Sequence, residues 1–189
     1  MKLEVKPVIS IVTIGLWSHL DDIKATIQSI DAQKNNRFES ICVFSGVPET
    51  ASMSIFESEN RKFFINEDSG LYDAMNIGLR QCSGDYVYFL NSGDVFHSKD
   101  VISLVSCELA ATEVLLVDTY QVFKDLYWLR VGELDLIDGV SAHQGIFVRR
   151  DIATANPFSL NRSIDADLVW IKSIIERSSA SSARIVACD

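Results

Sequence analysis

The run VISIVTI at residues 8–14 is short, rich in β-branched residues and almost entirely apolar, and Gly15 follows it as a break. Strands of this composition are buried on both faces, as they are in a parallel sheet. Apolar residues then recur at helical spacing, at Leu20, Ile23, Ile27 and Ile30. This stretch therefore predicts a strand followed by an amphipathic helix, the repeating unit of an α/β sheet.

The same alternation continues to about residue 110. Strands are predicted at 41–44, 62–65 and 86–90, and a helix with one apolar face lies on each side of the last of these. The helix before it has its apolar face at Leu71, Met75, Gly78, Leu79 and Cys82, and Asp68 or Ser69 is available as its N-cap. The helix after it has its face at Val101, Leu104, Val105 and Leu109. Further strands are predicted at 114–117, 147–148 and 185–187, and a late helix has its face at Leu168, Ile171 and Ile175. This order predicts an α/β fold, a mostly parallel, doubly wound (Rossmann-like) sheet with helices on both faces.

Composition excludes several classes of protein. The 189 residues carry 26 acidic and 17 basic side chains, a net charge of −9, which argues against a nucleic-acid partner. No apolar run approaches the roughly 18–20 residues of a membrane-spanning helix. The four cysteines have no zinc-like spacing, so we expect free thiols in a reducing cytoplasm. We found no linker or repeat and expect one domain over residues 1–189.

Polar residues follow two of the predicted strands, where open parallel sheets bind their ligands. Asn91 and Asp94 come after the fourth strand, and carboxylate and amide oxygens suit a hard divalent cation. The alternative is an ordinary turn, since Asn, Ser, Gly and Asp are turn formers. Asp165 and Asp167 precede or begin the late helix, where acids also occur for dipole reasons alone. The chain has no Walker A loop, no G-x-G-x-x-G and no G-x-S-x-G motif.

Three stretches together resemble family 2 glycosyltransferases with the GT-A fold, in particular bacterial exopolysaccharide enzymes of the colanic-acid type. Residues 67–78 resemble the family's E-x-D-x-G-I-Y-D-A-M-N-x-G segment, and residues 89–96 its D-x-D strand end in an F-L-N-S-G-D variant. Residues 143–147 and 163–168 resemble its H-Q-x-x-F and S-x-D-Y-x-L segments. The resemblance implies a nucleotide-sugar-binding half at 1–110 and an acceptor-side half at 111–189.

The resemblance also implies an activity and a set of site residues. Sugar would pass from a nucleoside-diphosphate donor to a glycan or lipid-linked glycan acceptor, with inversion, in surface polysaccharide synthesis at the cytoplasmic face of a membrane. Asp94 would hold Mg²⁺ or Mn²⁺, and Asp165 would take the proton of the acceptor hydroxyl. Donor-binding positions would be Thr13, Glu67, Asp68, Asp73, Asn91 and His143.

The sequence departs from the family pattern at sites that bear on activity. Phe44 stands where the family has a base-recognising Asp, and an apolar ring cannot accept a hydrogen bond from uracil, although a UDP-sugar remains the first expectation. Asn91 and Gly93 replace the two aspartates of the D-x-D element, which leaves Asp94 as its one carboxylate. A domain that only binds a nucleotide or a partner is therefore the alternative. A nucleotidyltransferase is less favoured, because no Gly-rich basic loop follows the first strand.

Overall fold

The structure is a computed structural model that describes residues 8–67, 70–123, 126–132, 143–161 and 165–188. Eight of the described segments are strands of one sheet: β1 Ile9–Leu16, β2 Phe38–Ser45, β3 Arg61–Asn66, β4 Tyr86–Phe89, β5 Val114–Phe123, β6 Leu126–Arg130, β7 Ile146–Arg149 and β8 Ala180–Cys188. The α-helices in these residues are α1 Leu20–Asp31, α2 Leu71–Gln81, α3 Val101–Glu108, α4 Arg150–Ala155 and α5 Ala166–Arg177. Short 3-10 turns lie at Trp17–His19, Met53–Phe56, Leu109–Ala111 and His143–Gly145.

The strand order is β3-β2-β1-β4-β7-β5-β6, and β8 pairs with β5. The first four strands of this order are parallel to one another, while β7 runs antiparallel to both β4 and β5. β8 returns parallel to β5. The mixed α/β fold with a mostly parallel sheet is therefore confirmed. Because the strand order reverses around β1, a crevice is expected between the loops at the carboxyl ends of β1 and its neighbours.

Strand β1 is buried on both faces, as its composition predicted. Ile9 and Ile11 pack in one core with residues of α1 and α3, whereas Val12 and Ile14 pack in another with residues of α2 and α5. Burial of apolar side chains on both faces of a central strand is the main stabilising contribution in a sheet of this kind. The helices are thus fixed on opposite faces, and the loops that join them to the strands meet at the sheet edges.

Two features of the predicted helices were wrong. Leu71, Leu104 and Leu168, which were assigned to the apolar faces of helices, are 51%, 50% and 39% exposed. Leu71 is the first residue of α2 and precedes its buried positions, which begin at Tyr72, and the buried face of α3 is Val101, Ile102 and Val105. The residue that precedes α2 is Gly70, at φ +90°, so neither Asp68 nor Ser69 is the N-cap. Both of these lie outside the described residues.

All four cysteines are free thiols, as the sequence predicted. Burial raises the pKa of Cys42 to about 11 and that of Cys82 to about 12, which keeps both protonated at neutral pH. In the part of the chain that the structure describes, no helix has the length and apolar character needed to cross a bilayer.

Candidate active site

A groove of about 710 Å³ lies at the carboxyl ends of the first three strands. Leu16, Ser45 and Asn66 are the last residues of β1, β2 and β3, and all three line it. A smaller pocket of about 300 Å³ shares Leu16 and Ser45 with the groove and extends to Gly70 and Leu71 at the start of α2. This is the edge at which the strand order predicts a ligand.

Phe44 does not line this groove. Its side chain is 0% exposed and packs against Trp17, Phe56 and Phe63, with ring centroids 6.2–6.3 Å apart. Successive side chains of a strand point to opposite faces, so the next residue, Ser45, reaches the groove instead. The expectation that a nucleobase would meet the Phe44 ring is therefore wrong, and Phe44 cannot select a base by direct contact.

The loop after β4 forms a tight turn that presents Asp94. The backbone N–H of Asp94 donates to the carbonyl of Asn91 at 3.0 Å, and Gly93 between them has φ +100°. The hydroxyl of Thr26, on α1, accepts a hydrogen bond from the N–H of Gly93 at 3.0 Å. The segment is thus an ordinary hydrogen-bonded turn that also holds the carboxylate of Asp94. The two interpretations from the sequence, a turn and a cation-binding segment, are therefore compatible.

Asp94 is half-buried, and one of its carboxylate oxygens accepts a hydrogen bond from Gln144 Nε2 at 3.1 Å. Burial raises the pKa of Asp94, although the hydrogen bond from Gln144 partly opposes this effect. Among the described residues, no Lys or Arg forms an ion pair with Asp94. A half-buried carboxylate without a paired cation is a suitable ligand for a metal ion.

His143 connects this turn with α5. It is 8% exposed; Asn91 Nδ2 lies 2.8 Å from its Nε2, and its Nδ1 lies 3.4 Å from Asp167 Oδ2. Because an amide nitrogen only donates, Nε2 accepts this hydrogen bond and Nδ1 carries the proton that faces Asp167. The other amide atom, Asn91 Oδ1, is buried and has no hydrogen-bond partner.

Asp167, to which the sequence assigned no role, is the aspartate of α5 that contacts this cluster. Tyr72 of α2 donates its hydroxyl to Asp167 Oδ1 at 3.2 Å. The hydrogen bond from His143 is the main cause that lowers the pKa of Asp167, although burial opposes it. Asp165 directly precedes α5, is half-buried, and accepts the N–H of Val169 at its backbone carbonyl. Its role as the base stays a prediction.

Of the other predicted donor-binding residues, Glu67 is the one found among the described lining residues of the groove. Thr13 is completely buried in β1, and its hydroxyl has no hydrogen-bond partner. Glu67 is exposed and lines the larger groove, and Asp73 is half-buried in the first turn of α2. Asp68 lies outside the described residues. None of these positions is tested as a ligand contact, so each remains a prediction.

The residues at the turn fit a divalent cation with few protein ligands. The described residues contain no group of three or more His, Cys, Asp or Glu side chains arranged around a metal position. Asp94 has one carboxylate oxygen outside the Gln144 hydrogen bond, and Asn91 Oδ1 is an orphaned oxygen nearby in the same turn. Mg²⁺ and Mn²⁺ accept one or two such oxygens when phosphate oxygens and waters complete the shell.

Besides Asp167, three side chains of this site were assigned no role from the sequence. Gln144 and Tyr72 stood within the quoted motifs but received no role, whereas Thr26 gave only an indirect signal. That signal is a hydroxyl on the apolar face of α1, between Ile23 and Ile27, where a polar side chain needs a hydrogen-bond partner.

Comparisons with known proteins identify the family of this chain. The model of the family described as "Glycosyl transferase family 2" matches residues 14–145. An uncharacterised glycosyltransferase of Mycobacterium tuberculosis is 35% identical over 100 residues, which cover 51% of this chain and 38% of the relative. A PGL/p-HBAD biosynthesis glycosyltransferase of Mycobacterium bovis is 28% identical over 156 residues, which cover 77% of this chain and 61% of the relative. The chain thus spans less than two-thirds of the length of these relatives.

Solved structures show the same fold at low sequence identity. Staphylococcus aureus TarS (residues 1–349), in complex with UDP, has a TM-score of 0.81 at 15% identity, over 97% of this chain and 60% of TarS 1–349. The mannosyltransferase PcManGT of Pyrobaculum calidifontis, in complex with GDP-Man and Mn²⁺, has a TM-score of 0.72 at 14% identity, over 98% of this chain and 57% of that one. With a family model that matches most of its length and a GT-A architecture around the groove, the chain belongs to glycosyl transferase family 2.

Proposed function

We propose that this chain transfers a glycosyl group from a nucleoside-diphosphate sugar to a hydroxyl group of an acceptor, with inversion at the anomeric carbon. The observation that carries the proposal is that two adjacent residues contact both aspartates: Gln144 donates to Asp94, and His143 lies within hydrogen-bond distance of Asp167. These contacts join three segments that lie far apart in the sequence and that carry the family resemblance. Such a transfer requires one carboxylate to hold a cation that neutralises the leaving diphosphate. It requires a second carboxylate to take the proton of the incoming hydroxyl.

The donor nucleotide would occupy the groove at the carboxyl ends of β1, β2 and β3. A volume of about 710 Å³ lies within the usual range for small-molecule sites. Structures of the same fold that contain UDP, UDP-GlcNAc or GDP-Man support a nucleotide-sugar donor. We propose a UDP-sugar as the first donor to test. Phe44 is 0% exposed, so its ring does not contact the groove and gives no reason to exclude uracil.

Asp94 and Asn91 would hold Mg²⁺ or Mn²⁺ together with the diphosphate. When bound, the cation would neutralise the charge that develops on the leaving diphosphate. His143, held by Asp167, orients the Asn91 amide so that its oxygen is the atom without a partner. Gln144 orients the carboxylate of Asp94 through its own hydrogen bond.

Asp165 would accept the proton of the acceptor hydroxyl as that oxygen attacks the anomeric carbon. A sugar hydroxyl is a poor nucleophile, and a single carboxylate acting as base is sufficient for one displacement with inversion. Asp165 directly precedes α5 and lies two residues before Asp167, which contacts His143.

We further propose that the acceptor is a glycan or a lipid-linked glycan used in surface polysaccharide synthesis. The resemblance to exopolysaccharide enzymes motivates this assignment, together with peripheral association at the cytoplasmic face of a membrane. A relative named for PGL/p-HBAD biosynthesis indicates that other glycolipid acceptors belong in the same assay.

The test is a transfer assay over a panel of UDP-, GDP- and dTDP-sugars, with Mn²⁺ or EDTA, on wild type and on Asp165→Asn. We expect the variant to lose about 100-fold or more in transfer rate and to keep its UDP affinity, because only proton removal is affected. Asp22→Asn, an exposed acid in the first turn of α1, is the matched control and should behave as wild type.

Each alternative has a distinct outcome. A full rate in Asp165→Asn would mean that the base is another residue, and loss of transfer in Asp167→Asn alone would point to Asp167. Nucleotide binding by the wild type without transfer to any acceptor would favour the binding-module alternative. Absence of both binding and transfer would contradict the proposal.

A further inference from the structure

The hydroxyl of Thr26 lies at the centre of the turn that carries Asp94. It accepts the backbone N–H of Gly93 at 3.0 Å and lies 2.8 Å from the carbonyl oxygen of Asp94. The carbonyls of Asn91 and Asp22 are farther away, at 3.3 and 3.1 Å. Because a hydroxyl has a single proton to donate, the shortest contact, to Asp94, is the best bond available to it.

Thr26 is 0% exposed, so in the folded protein its hydroxyl has only protein groups as hydrogen-bond partners. The turn also depends on Gly93, whose φ of +100° is a conformation that few other residues adopt. Loss of the Thr26 hydroxyl would remove the hydrogen-bond partner of the Gly93 N–H and of the Asp94 carbonyl, in a turn where Asp94 is half-buried and Gly93 is exposed. A turn that loses hydrogen bonds at two backbone groups is expected to hold its conformation less firmly.

We propose that Thr26 is a positioning residue, which holds the backbone of Asp94 so that its carboxylate stays directed at the site of the cation. The inference rests on the proposed function, in which Asp94 contributes to cation binding. Asp94 is then fixed at two points: Gln144 holds its carboxylate and Thr26 holds its main chain. The helix that supplies Thr26 also packs on the sheet, which makes the support rigid.

Ser29 provides a matched control on the same helix. Its hydroxyl accepts the backbone N–H of Phe96 at 3.1 Å, the same kind of bond to the same loop, but two residues beyond Asp94. A role limited to stability predicts similar effects from loss of either hydroxyl. A positioning role predicts that only Thr26 affects the cation.

The first measurement is amide hydrogen exchange at Gly93 and Phe96. Thr26→Val, which keeps the side-chain shape, should speed exchange at Gly93 about tenfold and leave Phe96 unchanged. Ser29→Ala should give the reverse pattern, and Thr26→Ser should resemble wild type because it keeps the hydroxyl. If Thr26→Val does not fold, Thr26→Ala is measured in its place.

The second measurement is Mn²⁺ affinity by calorimetry in the presence of UDP. Thr26→Val should bind Mn²⁺ about tenfold more weakly, and both Ser29→Ala and Thr26→Ser should remain within about twofold of wild type. Unaltered Gly93 exchange or unaltered Mn²⁺ affinity in folded Thr26→Val would overturn the inference alone. A wild-type protein that binds no Mn²⁺ would contradict the proposed function and overturn the inference with it.

Discussion

Glu39 shows how one buried carboxylate can join segments that are remote in sequence. Its Oε1 accepts hydrogen bonds from the Ser10 hydroxyl at 2.7 Å and from the backbone N–H groups of Ser83 and Gly84 at 2.5 and 3.1 Å. Lys62 donates to its Oε2 at 3.1 Å. The carboxylate therefore connects β1, β2, β3 and the loop after α2 at the edge of the sheet opposite the proposed active site.

Replacement of Glu39 by Gln should lower the free energy of unfolding by about 1–3 kcal/mol at pH 7, because hydrogen bonds to a buried charged acceptor become neutral. Urea denaturation measures this change. Glu59→Gln, at an exposed position, is the control and should unfold as wild type does. Equal loss in both variants would contradict the structural role assigned to Glu39.

The same pair of proteins also makes a prediction about pH. Burial alone would raise the pKa of Glu39, but hydrogen bonds from Ser10 and Ser83 outweigh it, so the pKa of Glu39 in the folded protein lies below its usual value. A lowered pKa contributes stability above the unfolded value of about 4.3 and loses it as pH falls through the folded value. The gap between wild type and Glu39→Gln should thus be full at pH 5–7 and shrink below about pH 4.3.

At the scale of elements, helix α2 is fitted to the sheet through a glycine. A Cβ at Gly78 would lie 2.4 Å from Val12 Cγ1 of β1, too close for any real contact. Glycine therefore allows the close approach of α2 to β1. Asn76, on the same helix, forms two hydrogen bonds with the backbone of Phe158. Its Nδ2 donates to the Phe158 carbonyl at 2.9 Å, and its Oδ1 accepts the Phe158 N–H at 2.9 Å. Close packing at Gly78 and hydrogen bonds from Asn76 thus give structural reasons for two residues of the segment 67–78, which resembles the family motif.

Gly78→Ala should destabilise the protein, although alanine favours a helix by about 1 kcal/mol. We expect a net loss of about 1–3 kcal/mol in the free energy of unfolding, because the core between α2 and β1 would be overpacked. Val12→Ala removes the opposing methyl groups, so the double variant should lose less than the sum of the single changes. A double-mutant cycle in urea checks this coupling, and strict additivity would contradict it.

At the scale of the whole molecule, ligand binding should appear as added stability. If the proposed function is correct, UDP with Mn²⁺ at 100 times its Kd should raise the free energy of unfolding by about 2.7 kcal/mol. Asp94→Asn should lose the part of this gain that Mn²⁺ supplies. The free variant should be at least as stable as free wild type, because a neutral amide removes the cost of a half-buried charge without a paired cation.

Thermal or urea unfolding with UDP alone, Mn²⁺ alone and both together separates these effects. Thr112→Ser retains a hydroxyl remote from the turn and is a control for nonspecific changes. An Asp94→Asn variant that retains the full Mn²⁺-dependent gain would exclude Asp94 as a ligand of the cation. A variant that is much less stable than wild type in the absence of ligand would show that Asp94 has a structural role.

The sequence alone determined the elements and the segments from which a site could be built. Hydrophobic periods of 2 and 3.6 are local properties of the chain, so the strands near Val12 and Val87 and the helix after Gly70 were predictable within a few residues. The placement of Asn91 and Asp94 at a strand end followed from the same pattern, since polar residues that follow a buried strand emerge at the sheet edge.

Only the tertiary structure decided which side chains meet. The contacts of Thr26 with the Asp94 turn, and of Tyr72 and His143 with Asp167, join residues 68, 95 and 24 positions apart. Phe44 faces the aromatic cluster because the strand register directs its side chain away from the groove. The identity of the residue alone does not predict this direction. Such contacts depend on how helices pack against both faces of the sheet, a property of the folded whole rather than of any local pattern.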